Sequence, residues 1–183
     1  MRKTILTVLS AAALALPVFA FAGSPASAAA AGTSCTTTTG KATFNPPLPK
    51  LGSTQTVKGT IKSTGTTKGC TGGGVKSGTI TGTFKSSKAG NCQTLVSGGS
   101  GASTGTINIK WNTGKTSSGP ATIKQVSGHS TEATVAGTVT AGLFKGLHSS
   151  VTVTFATSTA GGDCVHSNLK YVTFKNNTKL LVH

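Results

Sequence analysis

Apolar and polar residues alternate with a period of two along most of the chain. In TVKGTIK, Val57, Gly59 and Ile61 alternate with Thr56, Lys58, Thr60 and Lys62, and in TITGTFK, Ile80, Gly82 and Phe84 alternate with Thr79, Thr81, Thr83 and Lys85. TINIKW sets Ile107, Ile109 and Trp111 against Thr106, Asn108 and Lys110. TVAGTVTAG puts Val135, Gly137 and Val139 on one side, SVTVTFAT does the same with Val151, Val153 and Phe155, and NLKYVTFKNN and TKLLV end the series. Successive side chains of a strand point to opposite faces, so each run predicts a strand with one buried face and one face covered by Thr and Lys. Trp111 shares its phase with Ile107 and Ile109 and is predicted buried. No segment after the first thirty residues carries a helical period.

Ser and Gly clusters between the runs read as turns, and Thr suits the outer face of a pleated sheet. Gly59, Gly82 and Gly137 fall inside the runs, where glycine permits a bend or the close approach of a ring, and they read as curvature points. NPPLPKLG, with Pro46, Pro47 and Pro49, reads as a connection, because proline cannot donate to a central ladder. The pattern predicts an all-β fold, an antiparallel sandwich or barrel of about 8–10 short strands.

The N-terminus stands apart. MRK is basic, TILTVLSAAALALPVFAFA is apolar, and GSPASAAAAG supplies small residues at Ala-x-Ala spacing, the pattern of an export signal. Cleavage after Ala28, with Ala22 as the alternative, makes 1–28 a secretory signal peptide and 29–183 a single all-β domain. The apolar run lacks a basic stop-transfer flank, so no transmembrane segment is expected in the mature chain. The whole chain carries +15, and without Arg2 and Lys3 it carries +13, from fifteen lysines, no arginine, Glu132 and Asp163. Two carboxylates cannot build a hard-cation cage and leave little for a paired-carboxylate glycosidase.

Four cysteines, Cys35, Cys70, Cys92 and Cys164, read as two disulfides in an exported chain. Three connectivities are open, and the order of elements favours Cys70 with Cys92 and Cys35 with Cys164. A zinc site lacks the CxxC spacing it needs. His129, His148, His166 and His183 are scattered, with no i, i+2 pair on one strand face, so neither metal nor cofactor is expected. Gly114-Lys115-Thr116 resembles part of a phosphate loop, but Ile109 stands where that loop requires glycine. Asp163 and His166 in GGDCVHS could serve a small secreted hydrolase or metal-dependent enzyme, with His148 as a further candidate. No G-x-S-x-G elbow accompanies them, and Asp163 capping a turn is the simpler reading. His129 and Glu132 sit together at a loop-to-strand transition.

The lysines are spread along the chain without a basic block. Lys58, Lys62, Lys85, Lys110 and Lys115 are the residues expected to meet a polyanion: a cell-wall polymer, an acidic polysaccharide, anionic headgroups or extracellular DNA. Solubility and protection of sheet edges account for the same lysines without a ligand. Sequence-specific nucleic-acid reading is disfavoured, since the domain lacks arginine and has one Trp and one Tyr.

The order CTTTTGKATFNPPL, VKGTIKSTGTTKGC, GTITGTF, NCQTL and GTINIKWNTGKTS resembles a group of small exported all-β proteins of actinobacteria. The resemblance implies a disulfide-bearing extracellular β-domain and carries over no catalytic residue. The sequence thus points to a secreted, non-catalytic domain of the cell envelope or medium, possible docking on an anionic polymer or partner included. The alternative is the small enzyme using His166 and Asp163.

Overall fold

A computed structural model describes residues 31–96, 102–129, 131–156 and 161–183. The predicted signal peptide lies outside them. The strands are β1 (Thr33–Leu48), β2 (Thr60–Thr71), β3 (Ser77–Ser86), β4 (Ser103–Trp111), β5 (Thr116–Gln125), β6 (Glu132–Thr138), β7 (Ala141–Gly142), β8 (His148–Ala156), β9 (Leu169–Asn176) and β10 (Leu180–Val182), and one short helix, α1 (Cys92–Val96), lies between β3 and β4. All strand pairs are antiparallel, and β1 pairs with both β2 and β9. The sheet is therefore closed, and of the two predicted architectures the fold is the barrel. It has eight staves, because β10 continues the position of β9 between β1 and β8, and β7 continues that of β6 beside β5.

Where β9 gives way to β10, the Asn176 side chain replaces the missing ladder. Its Oδ1 accepts from the Thr38 N–H (2.8 Å), and its Nδ2 donates to the carbonyls of Thr36 (2.9 Å) and Thr178 (2.8 Å). An amide side chain offers both a donor and an acceptor, so the backbone of β1 stays satisfied across the break.

The alternation sorts side chains as the sequence implies. Across the outer face, Thr39, Thr66, Thr79 and Lys110 lie side by side on β1 to β4. The inward set is apolar and close-packed at one end. There Trp111, Phe144, Val139, Ile109, Val151 and Leu180 form the main core. Trp111 is 2% exposed, as its phase predicts, meets Phe144 edge-to-face at 5.5 Å, and donates from Nε1 to Ser117 Oγ (2.8 Å), which donates in turn to the Leu143 carbonyl. Phe144 sits in the turn after β7 and closes this end, although its φ of 69° is one that side chains seldom adopt.

Midway along the barrel, Gly40 and Gly65 are cross-strand partners under the Phe174 ring. A Cβ on either would collide with the facing carbonyl or that ring, so glycine here lets the sheet coil tightly around an aromatic plug. Gly82 and Gly137 lie inside strands β3 and β6 as expected. Gly59 does not: β2 begins at Thr60, because the Gly59 N–H is taken by Ser86 Oγ (3.1 Å), and Val57 makes a separate bridge to Gly90.

Three other expectations need correction. Pro46 and Pro47 belong to β1, in the stretch between Thr43 and Leu48 where its pairing with β9 slips, so the ladder does not call on their missing donors. β5 is an additional strand with Pro120 at its centre, at the point where the partner of β5 changes from β6 to β7. The disulfides join Cys35 to Cys70 and Cys92 to Cys164, not Cys70 to Cys92 and Cys35 to Cys164. Cys35 and Cys70 face each other in the β1–β2 ladder, because β2 extends through Cys70 to Thr71. By the loop-closure relation, separations of 35 and 72 residues correspond to about 4 kcal/mol of stabilisation each.

Truncating the closing side chain, Phe144→Ala, is expected to cost about 3–5 kcal/mol in denaturant unfolding. A red shift of Trp111 emission should accompany it, and a stability within 1 kcal/mol of the parent would show that Phe144 does not hold the closed end.

Candidate functional site

The opposite end of the barrel packs a second, smaller core of Ala42, Cys92, Cys164, Leu169 and Val172, with Leu48 and Leu51 against it. Its interior positions converge on an apolar cavity of about 110 Å³, lined by Phe44, Ile61, Ser103, Ile123, Ala133, Phe155 and Val172, with Ser86, Asn91 and Lys88 also in the lining. Phe44 and Ile61 are cross-strand partners of β1 and β2, while Ser86, Ser103 and Ile123 form one inward row across β3, β4 and β5. Small residues at Ala42, Ala133 and Ser103 leave the middle of this layer unfilled.

The rim is fastened by specific bonds. Asn91 Oδ1 accepts from the Thr94 N–H (3.0 Å) at the start of α1, and its Nδ2 donates to the carbonyls of Ser53 (3.0 Å) and Gln55 (3.2 Å). Val57 and Gly90 exchange two backbone hydrogen bonds of 2.8 Å. The Leu51 N–H donates to the Cys164 carbonyl (2.6 Å), the Cys92 N–H donates to the Pro49 carbonyl (2.8 Å), and the Cys92–Cys164 disulfide ties the same loops covalently. From these loops Val57, Gly59, Lys88, Gly90, Asn91 and Thr94 line the cavity, and the bonds among Pro49, Leu51, Cys92 and Cys164 brace the loops that carry them. Such cross-linking holds a site in shape before a ligand arrives.

All fifteen lysines are exposed. Lys62 and Lys85 lie on adjacent strands near the open half, with Lys58 just before β2, whereas Lys110 and Lys115 lie at the closed end beside the β4–β5 turn. The five expected binding lysines thus form no single cluster. Lys41 stacks on Tyr171, with Nζ 3.8 Å from the ring centroid.

The Asp163–His166 pair is brought together, at 2.6 Å between Oδ2 and Nδ1, but on a turn. Asp163 Oδ1 accepts from the N–H groups of Val165 (3.0 Å), His166 (2.8 Å) and Ser167 (3.2 Å), which is the capping role the sequence suggests. The His166 side chain is 83% exposed, and among the described residues no hydroxyl is hydrogen-bonded to its ring. The His166 ring, followed by the backbone donors, holds the Asp163 carboxyl well below the usual carboxylate range. His129 and Glu132 are 3.8 Å apart, and Glu132 Oε1 accepts from Asn177 Nδ2 (2.8 Å).

His148 and His183, far apart in sequence, exchange two backbone hydrogen bonds (2.7 and 2.9 Å) and are cross-strand neighbours. His148 Nδ1 also lies 3.2 Å from Thr138 Oγ1. Among the described residues no three His, Cys, Asp or Glu side chains come together as a metal-binding group, and no helix is long and apolar enough to cross a membrane. The cavity itself is missing from the sequence reading. Its one trace there is that inward positions near the open end, such as Ala42, Ala133 and Ser103, are small.

A carbon-detected titration of Asp163 should give a midpoint below the ordinary value of about 3.9, and His166→Ala should raise it. Because the folded-state value is the lower one, the carboxylate's support of the turn is complete above about pH 4 and is lost as pH falls through the folded-state value. An ordinary midpoint would mean that the pair does not form in solution.

The chain matches no protein-family model, no curated protein and no solved structure.

Proposed function

We propose that this is a secreted, non-catalytic binding domain whose barrel mouth takes one small apolar molecule. The observation that carries this reading is the contrast between the two ends: Trp111 and Phe144 fill one, while Phe44, Ile61, Ile123 and Val172 line an open space at the other. Eight-stranded barrels are of the width that holds side chains or a single small ligand. A cavity of about 110 Å³ approaches the roughly 150 Å³ of an apolar engineered cavity that admits benzene. The pair of disulfides and the N-terminal export pattern support the extracellular part of the proposal.

In a thermal-unfolding titration, a medium-chain alkanol at a hundred times its Kd should stabilise the protein by about 2.7 kcal/mol. Ala133→Phe, which places a ring in the cavity, should abolish this effect while leaving a folded barrel. An alkanol that stabilises both proteins equally would locate binding elsewhere.

A second reading is favoured by the exposure of all fifteen lysines: the outer face holds the domain on an anionic polymer of the cell envelope. The field is diffuse, so the attraction is long-ranged and sensitive to salt. Retention on purified cell wall and on soluble polyanions should be strong at low salt and should fall steeply by a few tenths molar. No retention at low salt would remove this role.

A further inference from the structure

The polar groups at the cavity mouth differ in how far they are already used. Ser86 Oγ donates to the Gly59 carbonyl (3.2 Å) and accepts from the Gly59 N–H (3.1 Å). Asn91 commits both amide hydrogens and its oxygen to Ser53, Gln55 and Thr94. Lys88 is the one charged residue in the lining, and among the described residues its ammonium makes no hydrogen bond or ion pair. Its position is set from both sides: the Ser87 N–H donates to the Ala102 carbonyl (3.1 Å), and Gly90 is locked to Val57. Neither acidic side chain lines the cavity. Glu132 bonds Asn177 and Asp163 caps its turn.

We propose that the ligand of the barrel mouth is an amphiphile with an anionic head, a medium-chain carboxylate in its simplest form, whose chain enters between Phe44, Ile61, Ile123 and Val172 while its head meets the Lys88 ammonium. This rests on the cavity being a binding site and adds the class of molecule it takes. With Ser86 and Asn91 engaged, a neutral hydroxyl head is left with uncharged partners such as the Ser103 hydroxyl. A carboxylate gains a charge-assisted hydrogen bond from Lys88, and a cationic head is repelled by it.

The test is calorimetric titration of octanoate, 1-octanol and octylammonium into the parent protein, Lys88→Gln and Lys145→Gln at fixed ionic strength. Octanoate should bind the parent about tenfold more tightly than 1-octanol, as expected for a hydrogen bond to a charged group. Octylammonium should bind more weakly than either. Lys88→Gln should reduce octanoate to the level of 1-octanol, and Lys145→Gln, exposed at the closed end beside Phe144, should leave the preference intact. Equal binding of octanoate and octanol by the parent overturns the proposal, as does a preference that survives in Lys88→Gln or tight binding of octylammonium. Binding of none of the three overturns the cavity reading itself, and the anion preference with it. Unchanged thermal unfolding of Lys88→Gln, at an exposed position, separates lost binding from lost folding.

Discussion

The pairing of β1 with β9 is the constraint on which the rest of the structure depends. A domain in which threonine and glycine are so abundant has a modest apolar interior, and an open sheet of these strands would leave two long, unpaired edges rich in β-formers. With β1 bonded to β2 on one side and to β9 on the other, the ring has no lateral edge. Asn176 completes the seam where the ladder would otherwise lapse. Closure also divides inside from outside, leaving Thr and Lys on the surface and Ile, Val and Phe within. A membrane-spanning barrel requires an outward apolar band, the opposite arrangement.

Closure then poses a filling problem. Gly40 and Gly65 make room for Phe174 midway, and Trp111 and Phe144 occupy one end completely. Toward the other end, residues of alanine and serine size share a layer with Phe44 and Ile61, which pack against the second core and still leave a cavity of about 110 Å³. The space is retained because its walls are held by hydrogen-bonded loops and a disulfide and cannot collapse inward. One half of the barrel is thus filled by aromatic rings, and the other packs a smaller core around a cavity.

The strands were legible in the sequence because a period of two survives any tertiary arrangement, and Trp111 could be placed inside from its phase alone. What depends on partners was not. β5 escaped notice because the first three of its inward residues, Ser117, Gly119 and Ala121, are too small to announce an apolar phase ahead of Ile123, and Pro120 suggests a break. The cysteine pairing turned on whether β2 reached Cys70, a matter of where a Thr- and Gly-rich strand stops. His148 and His183 are neighbours only because β10 lies against β8. Lys88 looked like any of the fifteen lysines until the loop carrying it was seen to lie at the cavity mouth. Of the candidate chemistry, the Asp163 turn was read correctly, since an Asx cap is local in sequence.

The closing seam has a kinetic corollary. Thr39 meets Lys175 across it, so the pairing joins segments 136 residues apart, whereas β1 to β6 follow one another as hairpins. Hairpins form in about 1–10 μs, but domains dominated by distant pairing fold in milliseconds to seconds. The chain should therefore assemble as a growing meander whose β1 edge stays unsatisfied until β9 arrives. The Cys35–Cys70 bond lies wholly within the first hairpin and can form early. The Cys92–Cys164 bond waits for the second half of the chain, so oxidative folding should pass through a one-disulfide species whose barrel is still unclosed.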